Sequence, residues 1–426
     1  MKNIIKTFIN KEALSGVVLF FATILALIIA NSSIGSYYLD FWKNHLGLSF
    51  GGKVLSLSLK SWIDDGLMAV FFLMIGLEIK REVLFGELSS IKKASLPIIA
   101  AIGGMVVPAL IYFLFNTKAP LSSGFGIPMA TDIAFALGVL MLLGKKVPIQ
   151  LKIFLVSLAV VDDLGAVLII ALFYTKTLHF EFIYISCGIM VLLFILNRLN
   201  VKSLIPYLIL GIFLWLSVHD SGMHATIAGV LLAIFIPVRP KLKDDNFIST
   251  CKKSLDIFTK NKNSKPILAQ EQEEALEDML KAQNQVQSPM SKLEHSLHDF
   301  SAFIIMPLFA FSNAGFSVDF SNINYPSVFS GIIVGLVIGK PLGIIGFSLL
   351  AIKLKIAKLP EQITSLGLVG LGVLAGIGFT MSIFISQLAF DNNLMIANAK
   401  LAILIASFLA AILGSLVLLK SGKKVI

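Results

Sequence analysis

Apolar residues run in long unbroken blocks along this chain, and the polar residues gather in the short intervals between them. Neither strict alternation nor an amphipathic stripe describes the blocks. A helix needs about 20 apolar residues to cross the hydrocarbon core of a bilayer, where lipid offers an open backbone no hydrogen-bond partner. The pattern therefore predicts an all-α, polytopic membrane protein of about twelve spans. They are expected near residues 14–30, 62–84, 94–115, 124–143, 149–174, 180–196, 204–218, 223–238, 297–316, 327–349, 363–390 and 396–419. Residues 1–238 would carry the first eight spans and 297–426 the last four. The start of the chain, with Lys2, Lys6 and Lys11 ahead of an apolar block, has the outline of a secretory signal. No small-x-small cleavage site follows and many spans do, so it reads as a retained first helix.

One interval breaks the pattern. Residues 239–296 are hydrophilic, with Lys and Asn early and a Gln/Glu-rich patch at 270–287. Leu276, Met279 and Leu280 recur there at helical spacing, which fits a short amphipathic helix. A solvated, partly disordered cytoplasmic loop fits the same composition.

Composition agrees with the blocks. The chain of 426 residues is 57% hydrophobic and 14% charged, against roughly 25% charged in soluble domains. Its net charge of +10 lies between the apolar blocks, where topology signals belong, and not in a nucleic-acid surface. The expected inside intervals hold Lys80, Arg81, Lys92 and Lys93, then Lys145, Lys146 and Lys152, then Arg198 and Lys202. The series continues through the stretch from Arg239, Lys353, Lys355 and Lys358 to Lys420, Lys423 and Lys424. The outside intervals hold Lys43, Lys53, Lys60, Lys118, Lys176 and Lys400. This asymmetry predicts that both termini are cytoplasmic. Cys187 lies in an apolar block and Cys251 in the hydrophilic loop, so no disulfide framework is visible.

The candidate chemistry sits where lipid should be. Asp132, the adjacent pair Asp162 and Asp163, and Lys340 all fall inside apolar blocks. Placing such a charge at mid-membrane costs on the order of 2.5–3.5 kcal/mol, so these groups face a bundle interior or an aqueous path. Successive helical residues point about 100° apart, which predicts divided labour for the Asp pair. One carboxylate would face an ion and the other a partner, for which Lys340 is the obvious candidate. Neighbouring carboxylates resist joint ionisation, as a site exchanging a cation for protons requires. Gly124, Gly126 and Pro128 precede Ala130, Thr131 and Asp132, and predict a broken helix. A second glycine-rich run, Gly370, Gly372, Gly376 and Gly378 before Thr380, is compatible with a break or with close helix packing. Hard monovalent cations favour oxygen ligands, which Asp163, Asp132, the Thr131 hydroxyl and freed carbonyls can supply. No His/Cys cluster and no phosphate loop is present.

Two further groups carry charge near span ends. Glu78, Lys80, Arg81 and Glu82 end one block, and Glu294, His295 and His298 open another across the long loop. Histidine titrates near neutrality, so these residues fit a cytoplasmic pH sensor as well as ordinary cap electrostatics. His224 is open in the same way, between a helix-end contact and a sensor.

The strings WIDDGLMAVFFLMIGLEIKRE, MATDIAFALGVL, SLAVVDDLGA, GMHATIAGV, LFAFSNAG, IGKPLGI and GIGFTMSIFISQLAF resemble the NhaA family of bacterial sodium/proton antiporters, in order, from first span to last. The resemblance implies an inverted-repeat antiporter fold with two discontinuous crossing helices, in the bacterial inner membrane. It implies that Asp163 is the principal sodium ligand and that Asp162 carries a proton and pairs with Lys340. It places Asp132 and Thr131 at the helix crossing. It ties Glu78, Arg81, Glu82, His224, Glu294, His295 and His298 to pH activation, and it implies a homodimer. The long 239–296 loop departs from the usual connection of that family. The function expected is electrogenic exchange of Na+ or Li+ for H+ by alternating access, with no cofactor, no enzymatic step and no nucleic-acid partner. A proton-coupled organic-anion carrier would want basic groups at the site, and a structural or channel-like protein would show no obligatory exchange.

Overall fold

The computed structural model describes residues 2–50, 53–175, 178–260, 267–316, 324–360 and 363–422. Lys176, Lys423 and Lys424 of the topology argument lie outside them. Helices stand at all of the expected block positions. Among the described residues five helices, Ile91–Phe115, Ile149–Phe173, Phe180–Arg198, Pro326–Lys353 and Asn393–Ser421, are long and apolar enough to cross a membrane. That number rises to eight if each bent helix pair is one span. The other blocks form shorter pieces, such as Ile205–Asp220 and Ile227–Phe235. Large apolar side chains such as Phe180, Tyr184, Leu172 and Leu114 point outward, as lipid-facing surfaces require. This is a membrane protein.

Two blocks are broken. The 3-10 helix Leu121–Met129 and the helix Ile133–Leu142 meet at 41°, and Ser365–Leu374 and Phe379–Ala389 meet at 47°. The glycine run whose reading was open between a break and close packing is thus a break. Pro128 removes one backbone donor at the first interruption, and Ala130 to Asp132 run extended there.

The helix Ile91–Phe115 packs against Lys340–Lys353 through glycines that touch backbone to backbone. A methyl group on Gly343 would stand 2.0 Å from the Gly103 carbonyl oxygen. Gly343→Ala is therefore expected to force these helices apart and to lower stability by about 2 kcal/mol, read as a lower melting temperature of the purified protein. This contact also positions Lys340, one turn earlier on the same helix.

Two elements add to the sequence picture. A two-stranded antiparallel hairpin, His45–Phe50 with Lys53–Ser58, occupies an interval expected to lie outside, and Trp62 Nε1 donates to Leu46 O at 3.0 Å. In the 239–296 loop the amphipathic helix forms as Gln270–Val286, but it does not stand alone. A second helix, Asp244–Lys260, packs along it in the opposite direction, with Gln272 Nε2 donating to Phe258 O and the Lys241 N–H donating to Gln285 O. The shared face is Ser254, Gln272, Ala275 and Ala282, while Leu276 and Leu280 are exposed.

Candidate functional site

The two interruptions meet. The Asp132 backbone N–H donates to Ile377 O at 2.7 Å, and the Thr131 hydroxyl donates to Ala375 O at 3.0 Å. Asp132 serves both breaks. Its Oδ1 accepts from the Phe135 N–H at 2.9 Å, capping Ile133–Leu142, and its Oδ2 accepts from the Thr380 N–H at 3.0 Å and from the Thr380 hydroxyl. One anion thereby satisfies orphan donors at the positive ends of two half-helices.

Lys340 answers at the opposite, carbonyl pole of the first break. Its Nζ donates to Met129 O, at the carbonyl end of the first 3-10 segment, and lies 2.8 Å from Asp162 Oδ2. The same Oδ2 lies 2.7 Å from the Thr131 hydroxyl oxygen, whose one proton is shared between this carboxylate and Ala375 O. Thr131, Asp132, Asp162, Asp163 and Lys340 are all at most 3% exposed. Charges buried so deeply persist when each is paired or hydrogen-bonded.

Asp163 is held differently. No hydrogen bond to it is found among the described residues, and it borders a cavity of about 60 Å³ together with Thr131, Asp132, Glu78, His298 and Ser301. That is room for a few water-sized or ion-sized occupants. The structure thus divides the Asp pair as helical geometry predicts, with Asp162 clamped to Lys340 and Asp163 turned to the cavity. Its oxygens, with the adjacent Asp132 carboxylate, suit a hard cation. Among the described residues no group of three or more His, Cys, Asp or Glu is arranged to hold a resident metal.

The cavity leads toward the charged cluster. Arg81 donates to Glu294 and lies 3.4 Å from Glu82 and 4.0 Å from Glu78. Burial pushes the Glu294 carboxyl above the usual range, while the Arg81 guanidinium and the nearby His295 and His298 oppose that shift. His295 itself is exposed. Lys80 closes the end of Ile227–Phe235 by donating to the carbonyls of Ile234 at 2.7 Å and Ile236 at 2.6 Å. His224 lies apart from this cluster. Its Nε2 is 2.8 Å from Tyr174 O, and the Tyr174 hydroxyl donates to Ser123 O at 2.8 Å on the first broken segment.

Three features escaped the sequence. Thr380 is a double donor to Asp132, although the Gly-Phe-Thr sequence after a break could have pointed to it. Ser301 presents a buried hydroxyl at the cavity with no hydrogen-bond partner among the described residues. The buried Asn313 joins the half-buried Asp64 and Gln387 in a polar chain at the far end of the bundle.

Comparison with known proteins gives a consistent neighbourhood. A family model described as Na+/H+ antiporter 1 matches residues 6–418. A protein named Na(+)/H(+) antiporter NhaA 2 from Aliarcobacter butzleri (strain RM4018) is 52% identical over 100% of both chains. One named Na(+)/H(+) antiporter NhaA from Wolinella succinogenes is 51% identical, over 97% of this chain and 92% of that one. Another of that name from Helicobacter pylori (strain ATCC 700392 / 26695) is 51% identical over 99% of this chain and 96% of its own.

Proposed function

This chain belongs to the Na+/H+ antiporter 1 family, and from that premise we propose an electrogenic, pH-regulated mechanism in which Asp163 carries sodium and protons in turn. The protein is a transporter of Na+ and H+, not an enzyme. The observation behind the mechanism is the unequal treatment of two adjacent carboxylates. Asp162 is neutralised by Lys340 at 2.8 Å, whereas Asp163 borders the cavity beside Asp132 and Thr131.

Sodium enters from the Glu78 side and displaces the proton on Asp163. When the ion draws on Asp162 as well, Lys340 loses its counter-ion and releases a second proton to the same side, so two protons are exchanged for each Na+, and the clamp on Met129 O and Asp162 loosens. Reprotonation from the other side restores the pair and completes the cycle. Asp132 keeps the N-terminal ends of both broken helices partnered throughout, so the ion passes without stripping those ends.

The test is sodium-driven collapse of a pH gradient in everted vesicles, followed with a pH-sensitive dye. Added Na+ is expected to release protons; a chain that binds Na+ with no proton movement does not work this way. Lithium is expected to substitute for sodium. We place the protein in the bacterial inner membrane with about twelve spans and both termini inside, from the distribution of Lys and Arg. The homodimer implied by the resemblance is part of the same proposal and is measurable by cross-linking in the membrane.

Glu78, Arg81, Glu82, Glu294, His295 and His298 would set the pH response at the cavity mouth, with His224 acting from a separate position. Arg81→Gln removes the cation that opposes the upward shift of Glu294. Its carboxyl then keeps a proton to higher pH, so the activity profile is expected to move toward alkaline pH by roughly one unit. An unmoved profile would remove Glu294 from the sensor.

A further inference from the structure

The antiport reading uses one end of the bundle, where the cavity opens past Glu78 and His298. The opposite end holds a second buried polar system that this reading leaves unassigned. Asn313, the asparagine of the LFAFSNAG string, is fully buried at the end of the helix Met306–Asn313. Its Nδ2 donates to Asp64 Oδ1 at 2.6 Å, and its Oδ1 accepts from Gln387 Nε2. Asp64 sits in a π-helical stretch, Trp62–Leu67, a geometry that often marks functional positions. Gln387 lies on the helix Phe379–Ala389, whose first turn carries Thr380 and, through it, Asp132. Lys60 and Lys400 bring positive charge within electrostatic reach of Asp64, and Lys400 is itself only 6% exposed.

Three elements that do not neighbour one another in sequence are thus joined by two side-chain hydrogen bonds. One of the three is the half-helix that ends at the ion site. The buried Asn313 amide is costly when unpaired, and its partners Asp64 and Gln387 are half-buried, so this chain is stable in two conditions: closed upon itself, or opened to water. A carrier that alternates its access needs such a two-condition element on the side remote from its open cavity.

We propose that the Asp64–Asn313–Gln387 chain is the outer gate of the transport path, shut while the cavity on the Glu78 side is open and parted when the ion site faces outward. The proposal rests on the antiport reading. Asn313 acts here as a positioning residue, because it touches neither Asp163 nor Asp132. Lys400 stands behind the closed gate, within electrostatic reach of Asp64.

The test is the sidedness of sodium activation, compared in everted and right-side-out vesicles of the full chain. Weakening the closed gate raises the outward-facing fraction. Asn313→Ala and Asp64→Ala are therefore expected to weaken the apparent Na+ affinity measured from the Glu78 side about fivefold and to tighten it from the other side. Asp64→Asn keeps an acceptor oxygen for Asn313 and is expected to stay within about twofold of the parent on both sides. Equal changes on both sides, no change in Asn313→Ala, or an Asp64→Asn effect as large as Asp64→Ala would each overturn the gate. If Asn313→Ala does not fold, Gln387→Ala, which spares the Asp64 link, carries the same comparison. A parent protein that exchanges no sodium for protons refutes the antiport reading instead, so the two failures are distinct.

Discussion

Asp163→Asn is expected to abolish sodium-driven proton release while leaving the protein folded. The substitution is nearly isosteric, and the side chain makes no hydrogen bond with the described residues that the amide would break. What disappears is a unit of charge and a site for a proton. A full charge facing a cation at about 4 Å, with an effective dielectric near 20, is worth about 4 kcal/mol. That corresponds to about a thousandfold loss of ion affinity, and the neutral amide also has no proton to surrender. Flux of radioactive sodium against a pH gradient measures the loss directly. Melting should be unchanged or slightly raised, since one buried charge has been removed. Exchange at the parent rate in this variant would dismiss Asp163 as the carrier. Asp162→Asn is expected to stop exchange too, but by a different route, because it strips Lys340 of its partner.

Lys340→Ala is expected to damage stability most. The ammonium is fully buried, 2.8 Å from Asp162 and bonded to Met129 O. Removing it leaves a carboxylate and a helix-end carbonyl without their cation, and breaking a buried pair in this way costs about 3–5 kcal/mol. The thermal transition of the purified protein should fall accordingly. A double variant, Lys340→Met with Asp162→Asn, removes both charges and should recover most of the lost stability without recovering transport. That separates the structural from the transporting role of the pair. A Lys340→Ala protein that melts like the parent would mean that Asp162 is neutral in the resting state.

Much of this site is legible in one dimension because membranes penalise charge so heavily. Asp132, Asp162, Asp163 and Lys340 stand out against their apolar blocks, and the proline at 128 announces the first break. The second break rests on glycines alone, and glycines serve close packing equally well, as Gly103 and Gly343 show. Lys400 reads in sequence as an outside topology charge, yet it is nearly buried. Its burial depends on contacts with segments hundreds of residues away, which no local pattern records. Asp64 is lost for the same reason, since a carboxylate near the start of a block looks like a boundary. In the hydrophilic loop, periodicity found the helix Gln270–Val286 but assigned its face to leucines that the structure leaves exposed. The face was set by the partner helix Asp244–Lys260, where Phe247, Cys251, Leu255 and Phe258 recur at helical spacing within a stretch read for its Lys and Asn content.

The bonds that knit the two broken helices together also tie distant parts of the gene to one another. Thr131 and Asp132 reach Ala375, Ile377 and Thr380, the last of them 248 positions along the chain from Asp132. Three of these contacts use backbone atoms on the far side, which tolerate many side chains, but the Thr380 hydroxyl does not. A lineage that replaced Thr380 by an aliphatic residue would leave Asp132 Oδ2 with the backbone N–H of 380 as its one remaining donor among the described residues, so inheritance at 132 and 380 should be correlated. Positions 375 and 377 should drift freely by comparison, provided that their carbonyls stay in place.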